Sequence, residues 1–177
     1  MGQSGAKWGF FITFTIKLVF QDMATFIGDY SCKIDAKGRL IFPSAFKKQM
    51  QATDDDHFVV RRDIFEQCLV LYTSGDWEEQ MNRIRSRINP YKREHNMFLR
   101  NFFKGTAELT LDSSNRLLMP RRLIEIAGIN KEVVLAGQDG RIEIWASERY
   151  EKIDMPVDDF AELAEKLMGG NIPEGEL

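Results

Sequence analysis

Asp35-Ala36-Lys37-Gly38-Arg39-Leu40-Ile41-Phe42-Pro43 returns later in the chain as Asp112-Ser113-Ser114-Asn115-Arg116-Leu117-Leu118-Met119-Pro120. Asp, Arg and Pro recur at one spacing, each displaced by 77 positions. The same displacement carries Phe26 onto Phe103 and Gly28 onto Gly105. Further on, Leu69 to Ser74 answers Ile142 to Ser147 at a displacement of 73, with Trp77 on Tyr150 and Glu78 on Glu151. A four-residue adjustment between the blocks reconciles the two offsets. Self-similarity at this spacing identifies an internal repeat, and the repeat governs every other reading.

Each copy reads strand, turn, strand, short helix. Ser31, Lys33 and Asp35 alternate with Cys32 and Ile34, and Thr110 alternates with Leu109 and Leu111, the period of a half-buried strand. Lys37-Gly38 and Ser114-Asn115 are residues that tolerate positive φ or bond their own backbone, so Asp-x-x-x-Arg supplies a turn. Leu40-Ile41-Phe42 and Leu117-Leu118-Met119 then resume as apolar runs. Pro43 and Pro120 stand where a helix begins, at a position that needs no N–H donor. Phe46 and Leu123 should face the core from those helices. One copy has too few strands to close a core, so two should pack face to face.

The duplicated Asp-x-x-x-Arg-Leu-x-x-Pro, in a chain of this length, resembles the MraZ family of bacterial transcriptional regulators, within the larger AbrB-like, swapped-hairpin DNA-binding group. The resemblance covers about residues 23–168. It implies a mixed α/β, β-rich fold. Two tandem AbrB-like swapped-hairpin units would pack as one pseudo-twofold, β-barrel-like core with peripheral helices. The implied division is a first repeat with two following helices at 23–99, a second repeat with a C-terminal helix at 100–168, and a disordered tail at 169–177.

Length and composition suit an ordinary soluble protein of one compact domain or two small, intimate ones. The net charge is −3. Bulk charge therefore does not mark a nucleic-acid binder, and an anionic partner must meet a local basic face. Cys32 and Cys68 lack the paired spacing of a disulfide framework or zinc site. Cys32 matches Leu109 in the repeat and is expected as a buried apolar position. His57 and His95 are too few and too scattered for a metal cluster, and His95 is expected as a packed core-edge histidine. Trp8 to Phe20 is almost continuously apolar, but shorter than the ~20 residues needed to span a bilayer. It lacks a convincing signal-peptide cleavage site. Nothing in the second copy answers residues 1–22. The expectation is a natural start at Met23 with 1–22 as upstream sequence, a membrane anchor being the minor alternative.

Between the repeat cores, Phe58–Arg62 and Cys68–Tyr72 read as a hairpin. Val133–Ala136 and Ile142–Trp145 repeat it around Asp139-Gly140, a good hairpin-turn dipeptide. Ser74 is a plausible N-cap for a helix with Trp77, Met81, Ile84 and Ile88 on one face. Asn89-Pro90 breaks it, and a second helix should run from Tyr91 to Phe103. Ser147 should repeat the capping role of Ser74, ahead of a last helix with Phe160, Leu163, Ala164, Leu167 and Met168 on one side. Residues 81–104 carry seven Arg or Lys against Glu94 alone, and residues 143–177 are strongly acidic. Solvated helix faces are the plain reading. Complementary halves also suit head-to-tail subunit contacts, and the resemblance implies a ring-shaped homo-oligomer.

The arginine fork can bond guanine O6 and N7 or clamp a phosphate. Arg39 and Arg116 should sit beside the turns, near a pseudo-twofold axis. Lys33, Lys37, Lys47 and Lys48 add positive charge to the first copy, and Arg121 and Arg122 to the second. By resemblance, Arg39 is a DNA-contacting residue. Arg116 carries the same role less directly, because Ser114 stands where the first copy has Lys37. Four candidates for binding double-stranded promoter DNA follow: Arg39, Lys37, Arg116 and Lys33. Asp35 and Asp112 would repel phosphate. With Gly38 and Asn115 they are turn-structuring candidates that bond backbone N–H groups or orient the motif arginine. The alternative, that Asp and Arg only stabilise the turn in each copy, stays open.

The chain shows no Ser/His/Asp set, no phosphate-cradling loop and no metal spacing. Each Asp has an Arg four residues on, which favours a permanently ionised carboxylate rather than a general acid. The expectation is a cytoplasmic, nucleoid-associated regulator. It should have no catalytic residues, metal, cofactor, membrane partner or small-molecule substrate. The resemblance implies repression at direct repeats upstream of the division and cell-wall gene cluster. An oligomeric ring without specific DNA binding is the alternative.

Overall fold

The computed structural model describes residues 25–50 and 56–169. The expectations for residues 1–22, and for the tail beyond Gly169, lie outside these residues. The chain divides into two compact bodies, one ending at Ser147 and one beginning at Glu148.

Among the described residues, the first body holds eight strands. In the first repeat they are β1 (Asp29–Lys33), β2 (Arg39–Ile41), β3 (His57–Arg62) and β4 (Leu69–Thr73). Their counterparts are β5 (Ala107–Thr110), β6 (Arg116–Leu118), β7 (Glu132–Gly137) and β8 (Ile142–Ala146). Helix α1 (Ser44–Gln49) follows β2, and α4 (Arg121–Ile126) follows β6. Helices α2 (Ser74–Arg85) and α3 (Arg93–Phe103) lie between the repeats. The fold is thus mixed α/β and β-rich, as expected.

The strands pair across the repeats. A six-stranded antiparallel sheet runs β1-β7-β8-β4-β3-β5, and β2 and β6 form a separate two-stranded ribbon. Each repeat's opening strand lies on the other's third strand, β1 on β7 and β5 on β3. Within the first repeat, β1 and β2 share no ladder; the chain after β1 reaches β2 through an isolated bridge between Ile34 and Leu40. The units therefore interleave instead of stacking as separate layers. β1 and β5 are the outer strands of the large sheet, so among the described residues it does not close into the expected barrel.

One pseudo-twofold axis relates the halves. In the ribbon, Leu40 opposes Leu117, its repeat equivalent. In the large sheet, Val70 of β4 opposes Glu143 of β8, again its equivalent. The core lies between these pairings. Leu40, Phe46, Leu69, Leu71, Leu117, Leu135, Ile142 and Ile144 are each 0 % exposed. Phe26, Phe42 and Phe58 join them, with Phe42 and Phe58 ring centroids 5.1 Å apart. Phe46 and Leu123 enter the core from α1 and α4 as expected. A second cluster of Met81, Ile84 and Phe102 packs with Trp77, Ile88 and Leu99. Trp77, Met81 and Ile84 bear out the apolar stripe of α2, whereas Ile88 packs on the cluster from beyond the helix end at Arg85.

Several local readings shift by a residue or two. Thr73, not Ser74, caps α2: its hydroxyl accepts from the Asp76 amide at 3.2 Å. Ser147 is the first residue of α5 (Ser147–Tyr150), not its cap. Pro43 and Pro120 precede the first helical residue instead of occupying it. Helix α3 begins at Arg93, which leaves Tyr91 outside it and exposed. Cys32 is half-buried, because β1 is an outer strand. His95 is half-buried, and its Nδ1 accepts from the Asn89 amide at 2.8 Å. Asp139 takes a φ of +56° in the β7–β8 turn, where the Gln138 amide reaches the Arg141 carbonyl at 2.8 Å. In the second body, α6 (Val157–Met168) has no buried residue, and Phe160, Leu163 and Leu167 of its apolar side are exposed among the described residues.

Candidate nucleic-acid interface

The two motif turns are built alike. In the first, the Gly38 amide bonds the Asp35 carbonyl at 2.9 Å. Asp35 Oδ1 accepts from the amides of Lys37 and Arg39, each at 2.9 Å. Asp35 Oδ2 accepts from Arg39 Nε at 2.6 Å. In the second, the Asn115 amide bonds the Asp112 carbonyl at 2.9 Å. Asp112 Oδ1 accepts from the amides of Ser114 and Arg116 at 2.8 and 3.0 Å. Asp112 Oδ2 accepts from Arg116 Nε at 2.8 Å. Each Asp therefore closes its turn with one oxygen and grips the motif arginine with the other.

The electrostatics follow from these bonds. The Arg39 amide, with the Arg39 guanidinium and the Lys37 amide, holds the Asp35 carboxyl below the usual carboxylate range. The Arg116 guanidinium does the same for Asp112, helped by the amides of Arg116 and Ser114, and Asp112 in turn raises the Arg116 guanidinium. Hydrogen bonds to the ionised form favour that form. Both carboxylates are thus fixed anions.

The turns are pinned by the opposite repeat. The Gly38 carbonyl accepts from the Met119 amide at 2.8 Å, and the Asn115 carbonyl accepts from the Phe42 amide at 2.9 Å. Gly38 has φ +82°, and a Cβ there would lie 2.9 Å from the Met119 carbonyl oxygen. Asn115 occupies the equivalent position at φ +54°. Asparagine tolerates that left-handed conformation at the end open to solvent.

The ribbon brings Arg39 and Arg116 onto one face. Arg39 pairs with Leu118, and Ile41 with Arg116. Side chains alternate along a strand, so these four share the face opposite Leu40 and Leu117. The arginine side chains are 36 % and 33 % exposed. Both terminal nitrogens of Arg39 and one of Arg116 make no hydrogen bond among the described residues.

Other charges divide. Lys37 is exposed on its turn, and Lys48 and Arg122 are exposed on the helices that follow. None of these three forms an ion pair among the described residues. Lys33 is drawn off to Glu132, its partner in the β1–β7 register, at 3.5 Å. Lys47 is held by Asp56, and Arg121 by Glu125 at 3.2 Å. Part of the basic run at 81–104 is neutralised locally, since Arg83 pairs with Glu79 and Arg85 with Glu78. Sequence reasoning treated Ile41 and Leu118 as parts of apolar runs, yet they are the exposed members of the ribbon face. Their signal was the period-2 alternation, which three residues express too briefly to read.

Among the described residues, no group of His, Cys, Asp or Glu could hold a metal ion, and no helix is long and apolar enough to cross a membrane.

Comparison with known proteins gives the same duplication. A family model described as "MraZ protein, putative antitoxin-like" matches twice, at residues 25–101 and 102–168. The "Transcriptional regulator MraZ" of Christiangramia forsetii is 42 % identical over 154 residues, 86 % of this chain and 99 % of that protein. The protein of the same name from Flavobacterium psychrophilum is 41 % identical over 155 residues, 87 % of this chain and 98 % of that one. That of Bacteroides fragilis is 38 % identical over 146 residues, 82 % of this chain and 92 % of the relative. With both repeats matched and relatives covered almost end to end, the chain belongs to the MraZ family.

Proposed function

We propose that the protein is a transcriptional regulator that reads double-stranded promoter DNA with the outward face of the β2–β6 ribbon and its flanking turns. The observation that carries this reading is the pairing of Arg39 and Arg116. Both lie on one exposed face, are related by the pseudo-twofold axis, and are held by a carboxylate through Nε with terminal nitrogens left over. A guanidinium fixed in this way presents donors suited to guanine or phosphate. Lys37, Lys48 and Arg122 supply unpaired positive charge nearby in sequence, which answers the acidic balance of the whole chain. Lys33, tied to Glu132, contributes least. Asp35, Gly38, Asp112 and Asn115 hold the turns that aim the arginines. The names of the relatives, transcriptional regulators, support this reading.

The finer proposal is repression at direct repeats upstream of the division and cell-wall gene cluster, by a ring-shaped, nucleoid-associated homo-oligomer. Each protomer presents one small ribbon. Several protomers on tandem sites would gain affinity through effective concentration. The cross-repeat pairing supports the AbrB-like, swapped-hairpin description of the two units.

The test is binding to DNA from upstream of the protein's own gene across a salt series, for wild type and Arg39→Ala. Saturable binding that exceeds binding to random DNA, weakens with salt and collapses in Arg39→Ala is expected. Equal, feeble binding by both proteins to every DNA would replace this reading with a structural ring.

A further inference from the structure

The ribbon face carries more than its arginines. Ile41 is 62 % exposed and Leu118 is 61 % exposed, in strands whose middle residues, Leu40 and Leu117, are 0 % exposed. The register sets Leu118 directly across from Arg39 and Ile41 directly across from Arg116. The face is therefore a two-by-two checkerboard, with cations on one diagonal and branched aliphatics on the other.

We propose that Ile41 and Leu118 are base-reading residues that contact the 5-methyl groups of thymine in the DNA major groove. The inference rests on the DNA-binding reading above and adds to it which base the non-arginine half of the face selects. Three arguments favour this occupant. The flanking guanidinium charges suit a groove walled by phosphates and would be costly to bury against an apolar protein patch. The major groove, about 12 Å wide, admits a two-stranded ribbon, and thymine alone of the four bases offers a methyl group there. The spacing also fits. Residues two apart on a strand are separated by about 6.6 Å, close to two base steps of about 3.4 Å. Diagonal neighbours across a pair lie about 7–8 Å apart. Ile41 and Leu118 should therefore touch thymines roughly two base pairs apart, on opposite strands by the pseudo-twofold relation.

The experiment compares upstream promoter DNA with the same duplex carrying deoxyuridine for every thymine, which deletes only the 5-methyl groups. Wild type and an Ile41→Ala/Leu118→Ala double variant are titrated against both. Wild type should bind the uracil duplex more weakly, by about fourfold for each methyl contact and about fifteenfold for two. The double variant, altered only at exposed positions, should bind thymine and uracil duplexes equally. Equal binding of both duplexes by wild type overturns the inference while leaving the arginine reading intact. A thymine preference that survives in the double variant also overturns it, since the preference would then arise from DNA shape. Absence of saturable binding to either duplex by wild type removes the inference and the DNA-binding reading together.

Discussion

Leu40 and Leu117 oppose each other across the β2–β6 ladder, and they are the same residue of the two repeats. The pseudo-twofold axis runs between them and, in the large sheet, between Val70 and Glu143. The ribbon that presents the arginines is therefore a joint between the repeats. Its inner side is core and its outer side is the candidate DNA surface.

Truncation at that joint should be costly. Both leucines are 0 % exposed, so Leu40→Ala or Leu117→Ala removes buried methyls and leaves a cavity. The expected loss is about 2–5 kcal/mol for either variant, from the Leu→Ala range of buried sites. Urea unfolding at constant m-value measures it. The double variant should depart from additivity by about 0.5 kcal/mol or more, because paired residues share one cavity. Strict additivity would mean that the two side chains do not pack on one another.

The turns should respond unequally to substitution. Gly38→Ala places a Cβ 2.9 Å from the Met119 carbonyl oxygen at φ +82°. It should destabilise by roughly 1–3 kcal/mol, the usual cost of a side chain in a backbone region reserved for glycine. The equivalent Asn115 already carries a side chain at φ +54°. Asn115→Gly should change stability by less than about 1 kcal/mol, since glycine adopts this conformation freely. Thermal unfolding of the two variants side by side decides the matter. Equal losses would mean that the close approach at Gly38 is not what restricts it.

The duplication and the turn chemistry were legible because they reside in residue identity at fixed spacing. Asp35 and Asp112 announce a turn by type, and the β-rich, apolar runs around Leu71 and Ile144 announce buried strands by content. Strand partners were not legible. The alternation from Ser31 to Ile34 is the same whether β1 pairs with β2 or with β7, so the interleaving and the open sheet order emerge only in three dimensions. The helix cap was missed by one residue because Thr73 and Ser74 are both capable caps. The deciding factor is Thr73's buried place at the end of β4, beside Asp76. Ile41 and Leu118 were unreadable for a related reason. A three-residue strand shows one alternation, and an apolar residue on its open face looks like core.

Acid should weaken the fold partly through the two turn carboxylates. Asp35 and Asp112 are held below the usual carboxylate range in the folded chain, chiefly by the Arg39 amide and the Arg116 guanidinium. The unfolded chain then binds more protons than the folded one as the pH falls. The stability they contribute is fully present above the ordinary aspartate value of about 3.9 and is lost as the pH drops through the lowered folded values. The Asp35→Asn/Asp112→Asn double variant should begin less stable at neutral pH and lose less stability below about pH 4. Melting temperature against pH gives the comparison. Parallel acid limbs in the two proteins would show that these carboxylates do not drive the loss.

The last prediction sets long-range charge against local aim. Asp35→Asn removes a negative charge beside the proposed DNA surface. On net charge alone it should tighten binding to every DNA. The geometry argues differently for the specific site. Asp35 Oδ2 fixes Arg39 through Nε at 2.6 Å, and two amides of the turn close on Oδ1. An asparagine keeps one oxygen acceptor and gives up the second, so the guanidinium loses its charged anchor and must be ordered when DNA binds. Ordering one long side chain costs about 0.5–1.5 kcal/mol, which is roughly twofold to tenfold in affinity. Binding to random DNA should therefore strengthen slightly while binding to the upstream site weakens, so the ratio between them falls. Arg39→Ala should lower the same ratio further, by about 1–3 kcal/mol if the fork reads a base. Competition titrations of both variants with upstream and random duplexes at one salt concentration measure the ratio directly. A uniform gain on both DNAs in Asp35→Asn would make Asp35 a mere electrostatic penalty and would remove its positioning role.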